Sequence, residues 1–282
     1  MFTMTSRSWM FASLAGSLFA AAHLHAQAGP PYLTDDPDPV ELHHFEMYAF
    51  SLSDSSQHAG TSWQAPSYEM NFGIAPRIQF HFVLPIGSFY APDGTRSFAV
   101  GDTELGLKAK LLSESKYIPE TGLFPFLELP TGSVSKGLGV GKTWYRVPVW
   151  FKKGFEDDKW TEYLGGGEAI VPQTGYDNYP FAGFLSQHKF TEKLVLGVEL
   201  FGHGAEGDRT VAGDRAILMN GGGYYAFGDH FQLLFAGGHS VVWAPETYTY
   251  LAAYWTWPKS KDDDKDKSEE GHAESLFHAM SR

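Results

Sequence analysis

Acidic and basic residues share one stretch of this chain at even spacing. Asp102, Glu104, Lys108 and Lys110 alternate with Thr103, Leu105, Leu107 and Ala109. Successive side chains of a strand point to opposite faces, so the four charges share one face and the apolar residues the other. Such a face can pair ions across water or attract permeant ions, but it holds no nucleophile. Other promising groupings have the wrong spacing. Residues 202–207 spell G-x-G-x-x-G, yet charged residues and a strand follow where a pyrophosphate site needs a helix N-terminus. Residues 137–143 end in Gly-Lys-Thr, one residue short of a phosphate loop because Lys136 stands at its first glycine. His239 and Ser240 are adjacent, hence on opposite faces of a strand and unable to form a nucleophile and base. No histidine pair has zinc spacing, and His43 and His44 read as interfacial. Asp35, Asp36 and Asp38 could hold calcium, although a full shell needs six to eight oxygens; alternatively their segment is a lead-in below or inside a barrel.

The alternation is clearest from Tyr68 to Leu84. Tyr68, Met70, Phe72 and Ile74 fall on one face, Glu69, Asn71 and Gly73 on the other. After the turn Ala75-Pro76-Arg77, residues Ile78, Phe80, Phe82 and Leu84 oppose Gln79, His81 and Val83. This is a hairpin with one greasy and one mostly polar face. Leu127 and Leu129 oppose Glu128, which shares its face with Phe124 and Phe126. Tyr145, Val147, Val149 and Phe151 oppose Arg146, Trp150 and Lys152. Tyr163 and Ala169 oppose Glu162 and Glu168; Leu196, Val198 and Leu200 oppose Glu199.

The chain has 282 residues, 43% hydrophobic, 16% aromatic and only 19% charged, with 31 glycines. Beyond the N-terminus it has no apolar run near the roughly 20 residues of a spanning helix. A mean hydropathy of -0.24 does not exclude a membrane, because a transmembrane barrel hides its hydropathy in alternation. The net charge of -12 argues against nucleic acid. Residues 1–28 read as a signal peptide, with Arg7 in the n-region and cleavage at Ala26-Gln27-Ala28 or after Ala26. Without cysteine the chain forms no disulfide and takes no lipoprotein anchor. Residues 258–282 begin as a charged tail, expected to be disordered in the periplasm.

About twelve alternating segments fit between residues 29 and 257 at roughly 20 residues per strand and connection. Short connections are expected near 75–77, 153–158, 188–193 and 228–230, with 113–121 somewhat longer. Longer outer loops are expected at 53–62, 86–97, 131–143 and 203–213. Trp63, Tyr90, Trp144, Trp160, Tyr179, Trp243 and Trp257 would form aromatic girdles. The fold expected is all-β: a transmembrane antiparallel up-and-down barrel of about twelve strands in the outer membrane, both ends in the periplasm. Lys or Arg facing lipid costs about 2–4 kcal/mol, so the charged faces should line the lumen. The expected lining is Glu69, Asp102, Glu104, Glu128, Glu162, Glu168 and Glu199 against Lys108, Lys110, Arg146 and Lys152. Acids outnumber bases, favouring cations or neutral solutes; equally, the charges of 102–110 could form structural ion networks. Phe124, Phe126 and Trp150 could stack an aromatic solute or simply fill space.

Several segments carry a family resemblance: Gly29-Pro30-Pro31 before Leu33-Thr34-Asp35-Asp36-Pro37; Gly101-Asp102-Thr103-Glu104-Leu105-Gly106-Leu107-Lys108; Glu128-Leu129-Pro130-Thr131-Gly132; Gly137-Leu138-Gly139; Trp160 with Tyr163 and Gly165-Gly166-Gly167; and Leu196-Gly197-Val198-Glu199-Leu200. Together they resemble the meta-pathway of phenol degradation family of outer-membrane channel proteins. The resemblance implies an outer-membrane barrel and a route for small aromatic compounds, and it supplies no established catalytic residues. The charged tail after Trp257 departs from barrels that end at an aromatic residue. The functional expectation is therefore a passive channel with no cofactor or metal. Its partners would be outer-membrane lipid, a small solute and the outer-membrane assembly machinery. A barrel lipid hydrolase and a secreted soluble β-sandwich are the alternatives.

Overall fold

The computed structural model describes residues 29–56, 60–172, 175–205 and 215–257. The expected signal peptide and charged tail lie outside the described residues. Fifteen strand segments follow one another: β1 (Phe45–Ser56), β2 (Gly60–Ala75), β3 (Ile78–Leu84), β4 (Ile86–Tyr90), β5 (Arg96–Val100), β6 (Thr103–Leu112), β7 (Glu120–Leu123), β8 (Phe126–Leu129), β9 (Trp144–Phe155), β10 (Trp160–Ile170), β11 (Tyr179–Lys189), β12 (Leu194–His203), β13 (Ala216–Ala226), β14 (Phe231–Trp243) and β15 (Glu246–Trp257). They make twelve staves, because three staves are broken in two. Pro85 separates β3 from β4, Gly101-Asp102 separates β5 from β6, and Phe124-Pro125 separates β7 from β8. A proline donates no ladder hydrogen bond, which explains two of the breaks.

Every pairing between strands is antiparallel, and β1 pairs with both β2 and β15, so the sheet closes on itself. Closure leaves no free sheet edge, the condition for backbone amides to survive in hydrocarbon. Outward positions along the staves are exposed and apolar: Phe72, Leu107, Val147, Leu164, Phe184, Val198 and Leu251. Inward positions are buried and mixed, from Tyr163 and Leu185 to Gln187, Glu199 and Asn220. That contrast is inverted relative to a soluble sandwich, whose greasy faces would be covered by protein.

Parts of two expected loops are strand instead. Residues 53–56 and 60–62 continue β1 and β2, and residues 86–90 and 96–97 belong to β4 and β5. Small polar residues carry the β1 and β2 extensions, since a ladder beyond the bilayer needs no apolar face. The connection of β14 to β15 is only Ala244-Pro245. The expected girdle also loses two members. Trp144 and Tyr179 are buried and pack inside with Ala169 and Val171, whereas Trp63, Trp160, Trp243 and Trp257 are exposed.

The lead-in before β1 lies inside the barrel. Its backbone is too rich in proline for a helix or a strand of its own, so its polar groups are met by the wall. The amide of Thr34 donates to Glu199 on β12, that of Val40 to Gln79 on β3, and Tyr248 on β15 donates to the Pro31 carbonyl. Leu42 bridges Gly73 of β2 in parallel. The approach is so close that a Cβ at Gly73 would strike the Glu41 carbonyl, and one at Gly122 would lie 2.8 Å from Pro37.

Candidate functional site

The lead-in is held on one side by ion pairs. Lys108 on β6 bridges Asp35 at 2.8 Å and Asp36 at 3.0 Å. Lys110 reaches Asp38 at 2.7 Å and Glu120 at 3.3 Å; Lys152 on β9 binds Asp38 and lies 3.5 Å from Glu120. The three aspartates weighed above as calcium ligands thus face three ammonium groups. On the opposite side Leu33 packs against a cluster of Tyr48, Leu218, Tyr224, Leu234, Tyr248 and Tyr250 from the β1 and β12–β15 wall. Ionic contacts therefore sit to one side of the segment and apolar contacts to the other.

Two chambers remain. The one toward the loops 91–95 and 130–143 measures about 580 Å³. The one toward the chain ends of the barrel measures about 660 Å³. They share five lining residues, Pro30 and Asp35 of the lead-in and Glu69, His81 and Phe124 of the wall. These five form the waist between the chambers. Rings dominate the loop-end chamber: Phe124 lies 5.5 Å from Phe126, Trp150 lies 6.4 Å from Phe181, and Phe181 lies 6.2 Å from Phe201. The other chamber carries Asp36, Asp38, Glu120 and the three lysines.

Hydrogen bonding orients the waist histidine. Asn71 donates its amide to Glu69 at 3.0 Å, which turns its oxygen toward His81 Nδ1 at 2.8 Å. His81 Nε2 lies 2.7 Å from the Glu104 carboxylate. Both ring nitrogens lie within hydrogen-bond distance of acceptor oxygens, an arrangement that favours the doubly protonated ring. In that form it would offset part of the charge of Glu69, Glu104 and Asp35.

Of the expected lining, Glu69, Glu104, Lys108, Lys110, Phe124, Phe126, Glu128, Arg146, Trp150, Lys152 and Glu199 lie on inward positions. Their duties differ. Glu199 is fully buried and accepts from Thr34 and Asn220, so it moors the lead-in. Asp102 also points inward, but its two oxygens accept the amides of Gly132 at 2.8 Å and Val140 at 2.7 Å and so pin the 130–143 loop. The structure corrects two positions. Tyr163 and Ala169 are the buried face of β10, which turns Glu162 and Glu168 outward, Glu168 exposed and Glu162 bonded to Ser186 near the barrel's rim. An inward tyrosine and alanine there pack beside the lead-in and the β9 and β11 wall, where an acid would find no partner.

Several lumen residues escaped the sequence reading. His81 stands on the polar face of the expected hairpin, so alternation alone places it. Glu120 falls in the expected connection 113–121, and only the lead-in supplies its lysine-bridged partner Asp38. Phe50, Phe181, Tyr248 and Tyr250 line the loop-end chamber from strands whose two faces are both rich in rings, which blurs the parity signal. The phosphate-loop lookalikes are strand end and loop: Gly202 and His203 close β12, and residues 137–143 lead into β9. His239 Nδ1 lies 3.4 Å from the Ser240 hydroxyl, so the two side chains meet although alternation puts them on opposite faces, but the same nitrogen lies 2.6 Å from the Ser240 carbonyl, to which it can only donate.

A closed antiparallel barrel with an apolar belt outside and a polar, partly hollow interior defines the class: a transmembrane barrel of the outer-membrane type. Solved barrels share it. The chain is similar to an outer membrane channel from Pseudomonas putida F1, with TM-score 0.65 and 14% identity over 82% of this chain and 100% of that one. It is also similar to the KdgM porin in complex with disordered oligogalacturonate, with TM-score 0.53 and 11% identity over 76% and 99% of the two chains. At such identities the likeness concerns the fold. No family model matches the chain, and no curated protein matches it.

Proposed function

We propose that the protein is a passive outer-membrane channel for small solutes, with its chain ends in the periplasm and its 130–143 loop facing outward. The pair of chambers meeting at one waist carries this reading. A solute entering among the loops meets rings, then the waist, then the ionic chamber beside the lysines. The apolar belt seats the barrel in outer-membrane lipid, and delivery there falls to the outer-membrane assembly machinery.

Selectivity follows from charge. Asp35, Glu69 and Glu104 outweigh one imidazolium at the waist, with Lys108 already engaged by Asp35 and Asp36. Anions are disfavoured there; cations and neutral solutes pass. The ring-lined chamber above suits small aromatic compounds, in keeping with the family resemblance. Planar bilayers under a KCl gradient test this reading. The expected result is stepwise conductance with a reversal potential of cation preference, reduced by Glu104→Gln. A barrel that inserts and carries no current would end the proposal.

A further inference from the structure

Resting on that channel reading, we propose that the loop-end chamber is a binding site for small aromatic cations, in which an aryl ring is joined to a short protonated amine. Seven carboxylates line this chamber against one arginine and two histidines. Several already have partners: Asp102 the loop amides, Glu246 His203 at 3.0 Å, Asp35 Lys108 at 2.8 Å, Glu104 His81 at 2.7 Å and Glu69 the Asn71 amide, yet the acids still outnumber the cations beside them. Asp35, Glu69 and Glu104 gather at the waist, where the ring wall ends at Phe124. Ring surface and negative charge therefore adjoin along the path.

The wall already uses this combination with its own cations. Lys108 Nζ lies 5.0 Å from the centre of the Phe124 ring while bonded to Asp35 and Asp36. The Arg146 guanidinium lies 5.5 Å from the Phe126 ring and 5.8 Å from that of Phe181. A cation over a ring face is attracted by the ring quadrupole, and more strongly away from bulk water. Trp150 and Tyr250 also line this chamber, so its ring surface extends beyond the phenylalanines, while the indole nitrogen and the hydroxyl of these two residues are buried in the wall. An aromatic carboxylate would meet the waist acids with the wrong sign, and an alkylammonium would leave the rings unused.

The experiment uses the mature chain in planar bilayers with three probes: phenethylammonium, butylammonium and phenylacetate. Phenethylammonium is expected to interrupt the KCl current at concentrations about tenfold below either of the others. Glu104→Gln and Phe126→Leu are each expected to raise its blocking concentration about threefold to tenfold, in barrels whose heat-modifiable gel migration matches the parent. Equal potency of the three probes, strongest block by phenylacetate, or block unchanged in both variants would overturn the site. Should the barrel carry no current, the channel reading falls by itself. The site is then read by equilibrium dialysis of phenethylammonium against the detergent-solubilised barrel, and no retention there overturns it.

Discussion

Replacing Lys108 with methionine tests whether the lead-in is a seated part of the channel or a loosely parked end. The Lys108 side chain is 8% exposed, that of Asp36 2% and that of Asp35 19%. Removing one partner from a buried ion pair costs about 3–5 kcal/mol, because the remaining charge stays desolvated. Asp35 is wet enough to recover part of this, which leaves Asp36 as the main cost and the lower figure, ~3 kcal/mol, as the estimate. At ~1.4 kcal/mol per factor of ten, the displaced lead-in becomes more populated by roughly a hundredfold. The chain has no cysteine, so Thr34→Cys introduces a unique thiol at a fully buried position of the lead-in. Its reaction with a water-soluble thiol reagent tracks the displaced population. The rate should rise about a hundredfold with Lys108→Met, accompanied by larger conductance steps. Adding Asp35→Asn and Asp36→Asn removes the stranded charges and should bring both readings back toward the parent. Unchanged labelling and conductance in Lys108→Met would refute the argument that these ion pairs seat the segment.

Other outcomes follow from single contacts. Asp102→Ala strands the amides of Gly132 and Val140, costing about 1–3 kcal/mol locally, and should make residues 130–143 the first site of limited proteolysis. Leu251→Arg places a cation on the outward face of β15 and should cost about 2–4 kcal/mol, read as a lower midpoint in urea-induced unfolding from lipid vesicles. Glu168→Gln, exposed at an outward position of β10, should leave ion selectivity unaltered, whereas a shift as large as that of Glu104→Gln would contradict its placement.

Much of the barrel was legible because parity is a strong signal when one face is uniformly greasy. The hairpin of Tyr68 to Leu84 and the β6 segment after Asp102 read correctly face by face, since lipid tolerates no charge at mid-depth. Parity weakens where both faces hold rings and glycines. In β10 the run Gly165-Gly166-Gly167 offers no polarity, and an apolar Tyr163 looks outward although the lead-in gives it a place inside. Parity misplaces Glu162 and Glu168 for the same reason, because they sit near strand ends where water reaches either face. The lumen's contents were less legible than its wall. Asp35, Asp36 and Asp38 share no period with Lys108, Lys110 or Lys152. Their pairing depends on a fold that returns the first described residues to the middle of the barrel.

The contacts of the lead-in with β2, β3, β6, β9, β12 and β15 reach most of the way around its circumference. This makes the segment a gauge for bore. Inserting one more hairpin would widen the ring and pull the lysines and Glu199 apart, so one set of moorings must let go. Engineers seeking a broader pore from this scaffold would have to redesign or delete residues 29–44 together with the wall.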